Sequence, residues 1–290
     1  METLLRPIYQ EHASNPATLG IIILEKVKPN SPITDDFDVI LLILVNEAEQ
    51  PWKVKHYEFD DKTAALHIVT TDLLREWIDT SGYRRAIEWI IYGRKIFDRN
   101  GFISDLKEEL RSFPPENREL RKVIEFGKLV KRYKEAKELL EVGEYKEANS
   151  KVLYSLHYLA RLTVIEQGFY PEVTVWSQVK QIDLETYKLY EEFIESSEPL
   201  EKRIQLMTIA MEFIINKRAK VAARHLLDVM RSKKEPWSFA ELKLHPMTVP
   251  YTLDLAAIVS YLVEKDIILT VREPTKGIGV YHRKYYVSNW

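Results

Sequence analysis

The sequence predicts an α+β protein in three parts: a domain with a mixed sheet, an antiparallel helical bundle, and a small winged helix. Three observations favour this class. Short β-branched runs alternate with helical segments in the first part, and helical apolar spacing fills the second. The third part is one helix followed by two β-rich arms. The predicted domains are 1–115, 116–233 and 234–290.

The first domain alternates short strands with short helices. Runs of β-branched and other apolar residues are typical of buried strands, and Asp72 precedes an apolar-periodic segment as a helix cap does. The predicted strands are 20–24, 37–45, 64–70 and 89–92, and the predicted helices are 4–13, one that begins at 73, and 103–112. This mixture indicates a sheet covered by helices.

The second and third domains are predicted from helix stops and turn residues. Gly143 and Gly168 follow periodic segments, where glycine is a typical helix end. The third domain has a helix over 253–266 and two arms around a tip that contains Pro and Gly, which favours a hairpin. The predicted bundle helices are 118–142, 145–167, 183–194 and 199–231, and the predicted arms are 267–272 and 280–287.

Composition bounds the class of protein. Apolar residues make up 46% and charged residues 30% of the chain, as in ordinary globular proteins, and the net charge of −2 gives no general case for nucleic-acid binding. The absence of cysteine excludes disulfides and thiolate chemistry. No apolar run is long enough to span a membrane, and no secretory leader is visible, so we expect a cytoplasmic protein without a membrane partner.

Two aspartates, Asp36 and Asp38, stand at the start of the most apolar run in the chain. In an extended strand, side chains two residues apart point to one face. Two converging carboxylates are a common beginning of a Mg²⁺ site that holds a nucleoside triphosphate. The alternative is that both charges only solvate the end of the strand.

The first domain resembles the minimal nucleotidyltransferase fold, as seen in aminoglycoside nucleotidyltransferases. The resemblance rests on the strand order, on the Asp35-Asp36-Phe37-Asp38 segment and on residues 92–101. With the bundle and a C-terminal helix-turn-helix, nearly the whole chain resembles the uncharacterised nucleotidyltransferase-like proteins of Bacillus and its relatives, the YgxA type. The resemblance implies a nucleoside triphosphate with Mg²⁺ or Mn²⁺, held through Asp36 and Asp38.

The catalytic pattern of that superfamily is only partly present. Its first strand ends in Gly-Ser at the triphosphate, whereas here the position falls on Glu25 or Lys26, and a glutamate there repels phosphate. A third carboxylate on the next strand is matched by His67, which can act as a third ligand or as a base. In the related aminoglycoside enzymes a bundle glutamate is the base on the acceptor, and Glu166 is the nearest analogue. The alternative for His67 is that it is simply a half-buried residue of the strand. The alternative for Glu166 is that it is an ordinary solvated residue near the end of a helix.

Two further patterns are open. Arg218 and His225 lie seven residues apart on one predicted helix, as in the ribonuclease motif of some helical domains, although with 42 Lys and Arg and 7 His a pair at this spacing is expected by chance. Basic and tyrosine side chains in the C-terminal arms could contact nucleic acid through 236–290, or they could serve packing. They are Arg272, Lys276, Tyr281, Arg283, Lys284, Tyr285 and Tyr286.

These patterns lead to three hypotheses. The first is a nucleotidyltransferase-like protein with a degenerate site that binds nucleotide or regulates, without efficient catalysis. The second is an active enzyme that transfers a nucleoside monophosphate from a triphosphate to a hydroxyl, with Mg²⁺ or Mn²⁺. The third is a DNA-binding regulator whose first domain senses a ligand. The acceptor, the nucleotide and the oligomeric state do not follow from the sequence.

Overall fold

The computed structural model describes residues 2–26, 32–59, 61–80 and 82–287. Its contacts divide the chain into two compact units. The first comprises Met1–Pro114 with Gly168–Thr174, and the second comprises Pro115–Gln167 with Val175–Trp290. The first unit contains a mixed sheet and helices dominate the second, so the class is α+β as predicted. In the part of the chain that is described, no helix is long and apolar enough to cross a membrane.

The first unit is a five-stranded sheet with helices on both faces. The strand order is β3-β4-β2-β1-β5, with β2 and β4 parallel and the other pairs antiparallel. The strands are β1 Thr18–Glu25, β2 Val39–Val45, β3 Trp52–Phe59, β4 Lys62–Thr70 and β5 Arg94–Asp98. The helices are α1 Glu2–Ser14, α2 Thr71–Thr80, α3 Arg84–Tyr92 and α4 Phe102–Ser112.

Strand β2 is the centre of this unit, because every one of its residues is buried. Its odd-numbered side chains, such as Leu41, pack with Leu5 and Tyr9 of α1 on one face of the sheet. The other face is covered by α3 and α4: Gly20 and Gly93 allow close approach there, since a Cβ on either would overlap an isoleucine. Two-sided burial explains why 39–45 reads as a continuous apolar run rather than an alternating one.

The sequence misplaces one element of this unit and misses two of its strands, β3 and β5. Residues 89–92 form the last turn of α3 and are not a strand. A four-residue apolar run does not by itself distinguish a strand from a helix, and this run is the end of a helix that begins at Arg84. Strand β3 was not predicted, because its alternation of Lys, His and Glu with apolar residues belongs to an exposed edge strand.

The second unit contains the helical bundle and the C-terminal segment. A single buried apolar cluster runs from Val123 in the first bundle helix to Ile268 near the C-terminus. The sheet order of the C-terminal strands is β6-β8-β7. The elements are α5 Pro115–Glu141, α6 Tyr145–Glu166, α7 Val175–Ile182, α8 Leu184–Glu195, α9 Leu200–Ala222, α10 Arg224–Arg231, β6 Trp237–Ser238, α11 Phe239–Leu244, α12 Leu255–Glu264, β7 Leu269–Pro274 and β8 Tyr281–Tyr286.

Residues 168–174 follow α6 in the chain but belong to the first unit. The ring of Tyr170 stacks on Phe113 with centroids 3.9 Å apart. The Tyr92 hydroxyl donates to Glu172 Oε1 at 2.5 Å, and the Val173 amide donates to Glu88 Oε1 at 2.5 Å. Glu88 is almost fully buried, and burial raises the pKa of its carboxyl to about 7.

Replacing Glu88 by glutamine is expected to stabilise the protein at pH 8 by about 2 kcal/mol. The folded state holds the carboxyl proton more tightly than the unfolded state, so wild-type stability falls as pH rises from about 4.5 to 7. Glutamine removes this cost and keeps an oxygen for the Val173 amide, although that bond loses its charge assistance. Urea unfolding at pH 5 and pH 8 measures the effect. A variant that is equally destabilised at both values would contradict it.

Candidate functional site

The acidic segment is a tight loop that precedes β2 and does not belong to the strand. Strand β2 begins at Val39, and Asp35 and Asp36 have left-handed backbones with φ of 49° and 69°. Aspartate tolerates this region better than most residues. The prediction that Asp36 and Asp38 share one face assumed extended backbone. It does not apply here, because Asp36 turns where a strand residue would extend.

Helix α3 holds this loop through several bonds. Arg85 pairs with Asp35 at 2.7 Å and donates from Nε to the carbonyl of Pro32 at 2.9 Å. The Tyr83 hydroxyl donates to Asp35 at 3.1 Å, and Trp89 Nε1 donates to the carbonyl of Ile33 at 2.6 Å. Burial, and then the charge of Asp35, raise the pKa of Tyr83 to about 12. The charge of Asp35 is therefore offset within the protein.

Asp38 joins the start of β2 to the start of β4. Its Oδ2 accepts the Thr63 amide at 2.9 Å and the Thr63 hydroxyl at 3.4 Å, and its own amide donates to the Thr63 carbonyl at 3.0 Å. The β4 residue beside Asp38 is therefore a threonine and carries no carboxylate. Asp36 is exposed.

His67 lies deeper in the sheet. The parallel register pairs His67 with Leu42, four residues beyond the Thr63 level, which is about 13 Å at the usual rise of a strand. Its Nδ1 accepts the Trp52 indole N–H at 3.2 Å, and its ring lies 4.7 Å from that of Trp89. Burial lowers the pKa of His67 to about 4. The register separates His67 from Asp38 along the strands, although the charge of Asp35 still acts on the imidazole and partly opposes the lowering of its pKa. The half-buried alternative understates the burial of His67.

The phosphate-binding positions differ from a glycine cradle as well. Glu25 is the exposed last residue of β1, paired with Val39, and the Lys26 amide donates to the Asp38 carbonyl at 2.8 Å. Among the described residues, no three His, Cys, Asp or Glu side chains converge as a metal site would require. Of the two predicted ligands, Asp38 is bonded to Thr63 and Asp36 lies on an exposed left-handed turn, so the described residues do not supply the converging carboxylates that a Mg²⁺ or Mn²⁺ centre needs.

Glu166 lies near the end of α6, in the second unit. Its Oε2 accepts from Arg218 at 2.8 Å, and the same guanidinium donates to the Thr163 hydroxyl at 2.7 Å and lies 3.8 Å from Asp183. Burial raises the pKa of Glu166 against the lowering effect of Arg218. Glu166 is thus part of a partly buried ion pair, unlike the solvated residue of the alternative interpretation.

The Arg218–His225 pair is separated by a helix break. Helix α9 ends at Ala222 and α10 begins at Arg224, so the two residues are not on one helix face. His225 Nδ1 contacts the Tyr251 hydroxyl at 3.0 Å, whereas Arg218 bonds to Thr163 and Glu166 of α6. The two side chains therefore have different partners. The prediction of a shared face is therefore wrong, and the ribonuclease interpretation loses its geometric basis.

One surface of the bundle combines aromatic and basic groups from α5 and α6. A cleft of ≈ 360 Å³ runs along α6, and Tyr154 within it is 57% exposed. Arg132 lies over the Tyr154 ring and Lys128 over the Tyr158 ring. The lining residues are Ser150, Leu153, Tyr154, His157, Tyr158 and Arg161. Their spacing of three and four along 150–161 is the sequence signal that could have found this cleft.

The side chains beside the cleft include more cations than carboxylates. Lys151 and Arg132 both pair with Glu135, at 3.0 and 2.7 Å. Lys128 and Arg161 both approach Glu125, at 3.8 Å. Glu125 is 1% exposed and neither of its oxygens has a hydrogen bond, and Arg161 Nε is likewise buried without a partner. Four cations thus share two carboxylates, which favours an anionic ligand.

Comparisons with known proteins agree with this architecture. A family model described as nucleotidyltransferase-like matches residues 1–118, one described as a YgxA-like substrate binding domain matches 119–218, and one described as a helix-turn-helix domain matches 224–287. A solved structure, the nucleotidyltransferase-like protein from Exiguobacterium sibiricum 255-15, is 38% identical, with a TM-score of 0.80 over 99% of both chains. The protein is therefore of the nucleotidyltransferase-like class, with substrate-binding and helix-turn-helix domains.

A curated relative makes the assignment specific. The Uncharacterized protein YgxA of Bacillus subtilis (strain 168) is 46% identical over 285 residues, which is 98% of this chain and 97% of the relative. The chain belongs to the YgxA-like family. The family resemblance predicted from the sequence is thereby confirmed.

Proposed function

We propose that this protein binds a nucleotide or acts as a regulator, and that it has lost efficient nucleotidyl transfer. The observation that carries the proposal is the acidic loop: Asp35 is paired with Arg85 and Asp38 is bonded to Thr63. Transfer of a nucleoside monophosphate needs cations to offset charge on the phosphates. Of the two carboxylates predicted to hold those cations, Asp38 is bonded to Thr63 and Asp36 lies on an exposed left-handed turn, so the metal-dependent enzyme is the weaker alternative.

The cleft along α6 is where we place the nucleotide. An exposed tyrosine ring can stack on a base, and arginine donors can contact phosphate in the forked geometry that guanidinium provides. Tyr154 supplies the ring, and Arg132 and Arg161 supply the donors. The description of the matching family model as a substrate binding domain supports this placement.

Calorimetry with ATP, GTP, CTP and UTP, each without metal and with Mg²⁺ or Mn²⁺, tests the proposal. We expect binding without a metal requirement and pyrophosphate release no faster than background. Asp36→Ala and Asp38→Ala should change affinity no more than the exposed control Asp105→Ala. Tyr154→Ala should weaken binding by about 1–3 kcal/mol through lost stacking.

Two results would contradict this proposal in different ways. Mn²⁺-dependent binding that Asp36→Ala and Asp38→Ala both abolish would restore the metal site and the enzyme. The absence of binding for all four nucleotides, with and without metal, would exclude both the nucleotide-binding protein and the enzyme. In that case the regulator with another ligand would be the remaining hypothesis.

A further inference from the structure

The C-terminal segment has the element order of a winged helix: α10, β6, α11, α12, and then the β7–β8 hairpin. In DNA-binding proteins of this kind, the second helix of the helix-turn-helix lies in the major groove and its side chains contact base edges. In this chain α12 holds that position. What α12 touches therefore decides whether it can read DNA.

Helix α12 packs along α5 of the bundle. A Cβ on Gly127 would lie 2.8 Å from Ile258 Cδ1 and 3.0 Å from Asp254 Cβ, so a larger residue there would have to displace these α12 side chains. Lys131 of α5 pairs with Asp254 at 3.3 Å. The start of α12 is thus fixed to the middle of α5.

The far end of α12 is fixed as well. Lys134 Nζ lies 3.2 Å from Ser260 Oγ and 3.2 Å from Glu264. Just beyond the helix, Lys265 pairs with Glu212 of α9 at 3.2 Å. Tyr261, 1% exposed, has its ring 6.1 Å from that of Phe126. The contacts with α5 therefore extend over the whole length of α12.

The remaining face of α12 carries none of the side chains that usually read bases. Its exposed positions are Ala256, Ser260 and Glu264, of which the last two already approach Lys134 of α5 at the edge of that face. The helix sequence LAAIVSYLVE contains no Arg, Lys, Asn or Gln, the residues that bond to guanine and adenine in the major groove. A glutamate facing the duplex would be repelled by the phosphates.

We propose that the helix-turn-helix module of this protein binds its own α5, and that α12 is a helix of the bundle rather than a DNA-reading helix. Ile258, Tyr261 and Leu255 belong to the same buried cluster as Val123 and Val130 of α5. The module completes the core of the second unit. Any nucleic-acid contact is left to the hairpin, where Arg272, Lys276 and Arg283 are exposed.

The first test measures DNA binding of the full-length protein by fluorescence anisotropy, with a random-sequence duplex pool at low salt. We expect either no binding, or binding that Ala256→Glu and Ser260→Glu leave unchanged and that Arg272→Ala with Arg283→Ala weakens. Both outcomes support the proposal. Binding that falls at least tenfold in Ala256→Glu or Ser260→Glu, with the hairpin variants unaffected, would overturn it.

The second test measures the packing of α12 on α5 directly. Alanine is a better helix former than glycine, so propensity alone would raise the Tm of Gly127→Ala. The proposal expects a fall of about 3–6 °C, whereas the exposed control Asn216→Ala on α9 keeps or raises the Tm. Hydrogen exchange should show α12 and α5 protected to the same degree. A rise in the Tm of Gly127→Ala, or α12 exchanging much faster than α5, would refute the proposal.

Discussion

Replacing Arg218 by methionine is expected to lower the free energy of unfolding by about 3 kcal/mol at pH 7. The guanidinium bonds to Glu166 and Thr163 and lies near Asp183, with about 20% of each charged side chain exposed. Methionine fills much of the same space but leaves both carboxylates without their cation. Burial already raises the pKa of Glu166, so without Arg218 this carboxyl becomes still harder to ionise.

Urea unfolding followed by far-UV circular dichroism measures this loss. The double variant with Glu166→Gln should recover part of it, because the uncompensated charge is gone. Lys202→Met on the same helix is the matched control: its pair with Glu198 is largely exposed, so its removal should cost less than about 1 kcal/mol. Equal losses for Arg218→Met and Lys202→Met would show that burial of the pair has no energetic consequence.

Acidification from pH 7 to pH 4.5 is expected to cost the wild-type protein about 2.5 kcal/mol through His67 alone. Burial holds the pKa of this imidazole near 4 in the folded state, against 6.5 as its ordinary value. The unfolded state therefore takes up a proton first as the pH falls, and this contribution to stability disappears between about pH 6.5 and pH 4. His67→Phe keeps an aromatic ring between Trp52 and Trp89 and removes the titration.

The measurement is the difference in unfolding free energy between pH 7 and pH 4.5 for wild type and His67→Phe. Comparing the two chains cancels the opposite trend expected from Glu88. Trp52→Phe is a second control, because it removes the N–H that bonds to His67 Nδ1 and should raise the pKa of that imidazole. An NMR titration of His67 with a midpoint near 6.5 would disprove the expectation.

The fold was predictable where burial dictates composition. Seven consecutive buried residues made β2 visible, and Gly143, with φ of +81°, marks the end of α5 as glycine does in many helices. Strand β3 escaped because one side of an edge strand faces solvent and reads as polar. The long predicted helix 199–231 is in fact two helices that meet at Ala223. The sequence does not reveal this break, because it involves neither Gly nor Pro.

The candidate site was predictable only as a location. Asp35-Asp36-Phe37-Asp38 indicates an acidic loop, but which carboxylate is neutralised depends on Arg85, fifty positions later in the chain. His67 is predicted as a third ligand because it stands where the resemblance places a third carboxylate on the next strand. Strand register, which sets His67 about 13 Å along the sheet from the level of Asp38, cannot be read from one sequence.

The placement of residues 168–174 has a consequence for how the chain acquires its structure during synthesis. Phe113 and Glu88 leave the ribosome well before Tyr170 and Val173, with all of α5 and α6 between them. N-terminal domains usually fold first, as they emerge. Here the first unit obtains its full set of contacts only after two helices of the second have been made. A fragment that ends at Pro114 therefore lacks Tyr170, Glu172 and Val173, and with them the contacts to Phe113, Tyr92 and Glu88.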